Sequence, residues 1–378
     1  MTVVTASPVG QPIQSSEGVE SDVTYVPAGP NTVIWGRLPL RIDTPIASVE
    51  DGETFIIDTV SHEGIMPDQG SDPVAFFGRS GIPATDVLRD TVAISRSVVR
   101  EEGDGPHIAT GPVAIRGAKV GDLLAVHINA LDMRTSYGVI STRHGRGVLA
   151  GGGAIEGNYS AVCIVEPVSC GHVGAISLTP GSGETVRFPI APFLGMMGVA
   201  SDSASRPHST LPGLYGGNTD VKLLNPGSTL FLPVQVDDAL LFVGDPHYAQ
   251  GNGEVALTAL EAPLRAKLTV DIIPGELLVD IASVEGPFAA GHGMIVPMGL
   301  SENLDLAMRR CTANALELVV AIFGMDRHLA YLYLSAAVDF SVSQAVDIVK
   351  GVHGAVRVSD FPSVRDTTLA RFILRAAK

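Results

Sequence analysis

Charge is scarce in this chain, and positive charge is scarcest. Only 17% of its 378 residues are charged, and 40 acidic side chains face 25 basic ones, a net of −15. Soluble domains usually carry about 25% charged residues. Polyanions are bound through clustered Lys and Arg, so this balance argues against a nucleic-acid partner and against an anionic membrane surface. Long hydrophobic runs are also lacking. The longest, near Leu316–Met325 and Ala239–Val243, fall well short of the roughly 20 residues of a membrane helix. No basic-then-apolar leader is visible, and the expectation is a cytoplasmic protein. Cysteine is sparse too: Cys163, Cys170 and Cys311 form an odd trio without CxxC spacing, which gives no disulfide framework. Cys311 sits in a helical apolar stripe, where a thiol packs as a small hydrophobe.

What is abundant is punctuation. The 42 glycines and 25 prolines are spread along the chain and break short apolar runs into the pattern of a turn-rich β-protein. Strands are clearest at Thr54–Thr59, Asp122–Leu131, Ser228–Val236 and Leu264–Ile273. In the last, Leu264, Ala266, Leu268, Val270 and Ile272 alternate with Arg265, Lys267, Thr269 and Asp271. Period two over that length predicts half-buried strands with a polar face in water or at an interface.

The C-terminal quarter changes period. From Ser301, read as an N-cap, Leu304, Met308, Cys311, Ala315, Leu318 and Ile322 recur at helical spacing up to Gly324. A second helix is expected over Arg327–Ala337, and a third from Ser341 or Ser343 to Gly351. The fold class expected is α+β, predominantly β: a mobile arm over 1–20, a sandwich- or barrel-like β body over 21–298, and a helical segment over 299–378 packed on it.

One segment concentrates chemistry. Gly244-Asp-Pro-His-Tyr-Ala-Gln-Gly-Asn-Gly-Glu254 follows an apolar strand and holds Asp245, His247, Gln250 and Glu254 within ten residues. Asp245 and His247, two apart, face one side if the stretch is extended. Such a set suits a divalent cation or a general base with a donor for a carbonyl oxygen. Taken singly, Asp and Gly are ordinary turn residues. A second segment, Gly213-Leu-Tyr-Gly-Gly-Asn-Thr-Asp220, offers turn N–H groups and Asn218 as oxyanion donors, with Gly217 at the turn and Asp220 beyond it. His62 and Glu63 end a strand and can join the site. The glycine-rich run Arg143–Gly153, followed by Glu156, lacks the Gly-Lys-Ser/Thr ending of a phosphate loop. It is read as a surface or substrate loop, so neither a nucleotide nor an organic cofactor is expected.

The Gly244–Glu254 segment resembles the acetamidase/formamidase family, whose members carry a similar Gly-Asp-x-His…Gln-Gly-x-Gly-Glu stretch. Gly216-Gly-Asn-Thr-Asp220, Gly227-Ser-Thr-Leu-Phe-Leu-Pro233 and Glu261-Ala-Pro263 resemble it in family order. The resemblance implies hydrolysis of the C–N bond of a small amide to a carboxylic acid and ammonia, a β-rich fold, and a cytoplasmic homo-oligomer, taken as a dimer or trimer. Tyr215 stands where relatives commonly carry His, and Tyr248 and Asn252 replace a small residue and an acid. These departures imply a reshaped pocket, with Tyr215, Tyr248, Gly217, Gln250 and His62 contacting substrate. They point away from simple formamide, toward a bulkier amide, a cyclic imide or a carbamate.

The mechanism expected is direct water attack. Glu254 activates water, Asp245 and His247 orient it or bind a metal with Asp220, and Asn218 holds the oxyanion. A divalent ion such as zinc is the cofactor expected. A non-catalytic protein that binds a small ligand on a hydrolase scaffold is the alternative.

Overall fold

In the computed structural model, residues 10–143, 146–153, 155 and 157–378 are described. They form three layers: an eleven-stranded sheet, a nine-stranded sheet, and a set of C-terminal helices. The centre of the nine-stranded sheet is the antiparallel trio Leu264–Ile273, Leu123–Met133 and Ser228–Pro233. Alternation along these strands serves two cores at once. Leu124, Val126, Leu230 and Leu268 enter the core between the sheets, beside Leu194, Met197, Leu241 and Val243 of the other sheet. Leu123, Ala125 and Phe231 face the opposite way, against Leu318, Ile322, Leu334 and Ile373 of the helices. The body is therefore a mainly β sandwich with helices on one outer face.

The polar side of Leu264–Ile273 is not uniformly wet. Arg265 is buried, bonded to Asp58 at 2.7 and 2.9 Å, and donates to the Gln14 carbonyl at 3.2 Å. Ile13 N–H donates to the Arg134 carbonyl at 2.9 Å. Residues 13–17 of the expected arm are thus tied to the body, and residues 1–9 lie outside the described residues.

The helix Leu304–Phe323 is capped by Asn303 rather than Ser301; the Asn303 side chain accepts from Leu306 N–H at 3.0 Å. Gly324, at φ 69°, ends it as expected. A Cβ on Gly299 would lie 2.2 Å from Ala307 O and Cys311 N, so this glycine lets the helix lie directly on the strand Met294–Ser301. The second helix is Arg327–Ala337, as the spacing predicts.

The third expected helix is not formed. Asp339–Gln344 and Lys350–Arg357 are strands of an antiparallel hairpin that extends the nine-stranded sheet beyond Met294–Ser301. Pairing to a waiting edge overrode a spacing that fitted helix over ten residues. The helix Thr368–Ala376, capped by Thr367, was not anticipated, nor were Pro73–Gly78 and Arg89–Ser97. Among the described residues no helix is long and apolar enough to cross a membrane.

Candidate active site

The strand Leu241–Ala249 runs through the middle of the eleven-stranded sheet and pairs with Phe193–Val199, Ile108–Ile115 and Leu260–Glu261. Its alternation places Asp245 and His247 on one side, with His247 Nε2 3.1 Å from Asp245 Oδ2. Tyr248 consequently points the other way, into the core between the sheets. Directly across from His247 stands Glu261, its Oε1 2.9 Å from Nε2. Gly195 leaves the room this cluster occupies. A Cβ there would meet Asp220 Oδ1 at 2.5 Å, His247 Cε1 at 2.8 Å and Asp245 Oδ2 at 2.9 Å.

Three of these acids hold left-handed backbone: Asp220 at φ 50°, Asp245 at φ 47° and Glu254 at φ 47°. L-residues adopt this region at a cost of order 1 kcal/mol or more, and it concentrates where function fixes side-chain aim. Thr219 and Asp220 N–H both donate to the Gly195 carbonyl, at 3.0 and 3.1 Å, which holds that turn. Glu254 is placed by the loop after the strand. Gly253 N–H donates to Ser343 O and its carbonyl accepts from Ala345 N, both at 3.0 Å, so the C-terminal hairpin clasps the loop.

Two of the site's three buried imidazoles have a proton on Nδ1 fixed by an acceptor. Gln250 Nε2 donates to the Asp220 and Ser343 carbonyls at 2.9 and 3.1 Å, so its Oε1 accepts from His247 Nδ1 at 3.1 Å. His107 Nδ1 can only donate to the Ser209 carbonyl, 3.2 Å away. In both rings the proton on Nδ1 leaves Nε2 as the atom facing the carboxylates. His107 Nε2 is 3.7 Å from Asp245 Oδ1, and His62 Nδ1 is 3.8 Å from the same atom. None of these spacings amounts to a hydrogen bond. Asp245 Oδ1, Asp220 Oδ1, Glu261 Oε2, Asn218 Oδ1 and His247 Nε2 are all buried without a hydrogen-bond partner. His247 Nε2 is near two carboxylates but aligned to neither.

Electrostatics reinforce the point. Burial would raise the Asp245 carboxyl, but His107, His247 and His62 hold it well below the usual carboxylate range. Burial works against protonation of His247, yet Glu261 and Asp245 lift it far above its ordinary value. Burial, with Glu254 and Asp245 beside it, raises Asp220. Glu254 is raised by burial and by Glu261, Asp245 and Asp347, against the pull of His247. Several acids crowded in a buried space, with imidazole nitrogens aimed among them, call for a cation.

Among the described residues three overlapping groups suit one: His62, His107 and Asp245; Asp220, His247 and Glu254; and Asp245, His247 and Glu261. The orphaned oxygens and the outward Nδ1 hydrogen bonds fit a divalent metal, since ligating imidazoles are normally oriented this way by a second hydrogen bond.

The cluster floors a cavity of about 240 Å3. Of the residues expected in the site, His62, Asn218, Asp245 and Glu254 line it, while Asp220, His247 and Gln250 stand behind them. The structure does not bring Tyr215, Tyr248 or Gly217 to the cavity. The Tyr248 hydroxyl bonds the Thr135 and Pro263 carbonyls at 3.0 and 2.9 Å. Tyr215 donates to the Leu211 carbonyl at 2.8 Å and packs with Leu38, Met196 and Phe242. Gly217, at φ 87°, serves the turn, with Leu211 O 2.9 Å from where a Cβ would be.

Asn218 is also not a free oxyanion donor. Its Nδ2 donates to Asp220 Oδ2 at 2.8 Å and to Asp347 Oδ2 at 2.9 Å, which uses both amide hydrogens.

Sequence reasoning missed His107, Glu261 and Asp347. Glu261 carried a signal in the matched Glu-Ala-Pro, and His107 in its place just before an apolar strand. Asp347 carried none. Burial pushes its carboxyl up to about 6. Arg143, read as part of a surface loop, is buried in the cavity wall and paired with Glu63 and Asp68. His144, Gly145, Ala154 and Glu156 of that stretch lie outside the described residues.

Residues 203–361 match the model of the acetamidase/formamidase family. A putative formamidase of Schizosaccharomyces pombe is 29% identical over 200 residues, 40% of this chain and 47% of that protein. The acetamidase of Mycolicibacterium smegmatis is 37% identical over 81 residues, 21% of this chain and 19% of that protein. The chain thus spans less than half the length of these two relatives. In fold it is similar to the crystal structure of an acetamidase from Bacillus halodurans, with a TM-score of 0.67 at 24% identity, covering 89% of this chain and 98% of that one.

Proposed function

We propose, from the family match over residues 203–361, that the chain hydrolyses the C–N bond of a small amide to a carboxylic acid and ammonia. The observation that carries this is the set of unpaired, buried ligand atoms of Asp245, Asp220, His247 and Glu261 grouped beneath one cavity.

Water supplies the oxygen that bonds to the carbonyl carbon, and the nitrogen leaves with an added proton. Glu254, at the cavity floor, takes the water proton and passes it to the nitrogen; its raised affinity for protons suits that exchange. His62, His107 and Asp245 would hold a divalent ion such as zinc, which supplies Lewis acidity toward the carbonyl when bound. His247, oriented by Gln250, stands behind the Asp245 carboxylate, its Nε2 3.1 Å from Oδ2. Asn218 holds Asp220 and Asp347 in place, and the Arg143 guanidinium in the wall faces the charge developing on the carbonyl oxygen.

The test is ammonia release by the purified chain over a panel of amides, carbamates and cyclic imides, with elemental analysis of the same sample. Release with a bound divalent metal is the result expected. No release from any substrate would reject the reading in favour of a non-catalytic small-ligand binder.

A further inference from the structure

The cavity is charged oppositely at its two ends. Its floor is buried and acidic: Asp245, Glu254 and Glu261. At its outer end Arg146 is exposed and Arg100 half-buried, beside a His208 that burial and Arg37 hold below its ordinary value. Asp104 shares that end but gives its carboxylate to Arg37 at 2.5 Å. Arg100 is left donating to backbone carbonyls, Gly105 O at 2.7 Å and Asp104 O. Among the described residues neither Arg100 nor Arg146 forms an ion pair with a carboxylate. Arg100 also lies close enough to Asp104 to help lower that carboxyl, so Arg146 is the less neutralised of the two. The long-range field of a chain of net charge −15 repels anions, but it is screened within about 8–10 Å of salt solution, whereas contacts at the outer end are made at hydrogen-bond range.

The size of the cavity points the same way. At about 240 Å3, far above the roughly 10–15 Å3 that admits one water on the same measure, it has room for a molecule larger than formamide or acetamide. We propose that the substrate is an amide whose acyl chain ends in a carboxylate, the monoamide of a short dicarboxylic acid. The amide would lie at the acidic floor and the carboxylate against Arg146 and Arg100. Hydrolysis by water then gives the dicarboxylate and ammonium. The inference rests on the amidase reading above and names its substrate class.

The test compares kcat/KM of the full chain for malonamate and succinamate with that for acetamide and propionamide, and measures succinate binding by calorimetry. A preference for the anionic amides of about tenfold or more is expected from a charge-assisted contact. Arg146→Gln should remove most of that preference and weaken succinate, and Arg146→Lys should restore part of both. Equal or better turnover of propionamide, with no succinate binding, overturns this proposal and leaves the amidase reading intact. A better rate with an amide bearing a phosphate instead of a carboxylate also overturns it. Succinate binding lost in Arg146→Gln, with no amide hydrolysed at all, overturns the amidase reading while keeping the anion site.

Discussion

Asn218 donates its side-chain amide to Asp347 at 2.9 Å, joining two residues 129 positions apart in sequence. The same nitrogen holds Asp220 at 2.8 Å. One neutral amide therefore positions two carboxylates from different parts of the chain. Asp347 reaches the cavity only because residues 339–357 form a hairpin added to the sheet edge.

Glu254→Gln tests the central acid. The carboxamide keeps the shape of the side chain but cannot accept and return a proton. Ammonia release should fall by about 10²–10⁴-fold, while the thermal midpoint should not drop, because Glu254 is a buried acid with neighbouring acids that favour its neutral form. Full activity in this variant would remove Glu254 from its role.

Gly195→Ala tests how tightly the cluster is built. The added methyl would sit 2.5–2.9 Å from Asp220, His247 and Asp245, so the side chains must separate. Overpacking of this kind costs about 1–3 kcal/mol. A lower thermal midpoint and reduced metal content by elemental analysis are expected together. A variant with unchanged metal content would show that the packing around Gly195 does not set Asp245 for the ion.

Tyr248→Phe separates structure from chemistry. The lost hydroxyl would leave Thr135 N and O and Pro263 O with one partner fewer inside the core. A loss of about 1–3 kcal/mol in denaturant unfolding is expected, with KM for any amide turned over unaltered, because the ring faces away from the cavity. A raised KM with unchanged stability would return Tyr248 to the substrate.

Acid sensitivity should have a component at His353. Its Nδ1 bonds Ser343 Oγ at 2.8 Å, and burial, with Lys222 adding to it, lowers the ring to about 4 from 6.5. The unfolded chain then binds the proton more readily than the folded one. Stability is full above about pH 6.5 and falls as pH drops toward 4, by about 2 kcal/mol between pH 7 and 5 for this group. His353→Gln should flatten that limb in unfolding curves measured at both pH values. An equally steep fall in the variant would assign it to other groups.

Much of the fold was legible because it rests on local period. The strands Leu264–Ile273 and Leu123–Met133 and the helix Leu304–Phe323 each repeat one spacing long enough to be read, and each buries the face its period marks. The hairpin at 339–357 was misread because the stretch from Ser341 or Ser343 to Gly351 is too short for its spacing to decide, while its fate was set by the free edge at Met294–Ser301. The site was partly legible for the same reason. Asp245, His247 and Glu254 lie within ten residues, so strand alternation and a glycine loop fix their neighbourhood.

The sequence by itself determined a charge-poor, turn-rich β chain with a polar cluster at 245–254. Only the tertiary structure decided what that cluster contains. His62, His107, Glu261 and Asp347 come from four separate segments of the chain and gather near Asp245 because sheet pairing and the hairpin bring them there. Tertiary structure also turned Tyr215 and Tyr248 away from the cavity and Arg143 toward it. Backbone period decides which side of a strand a residue occupies. Which side faces a cavity, and what else faces it, depends on long-range packing that no local pattern encodes.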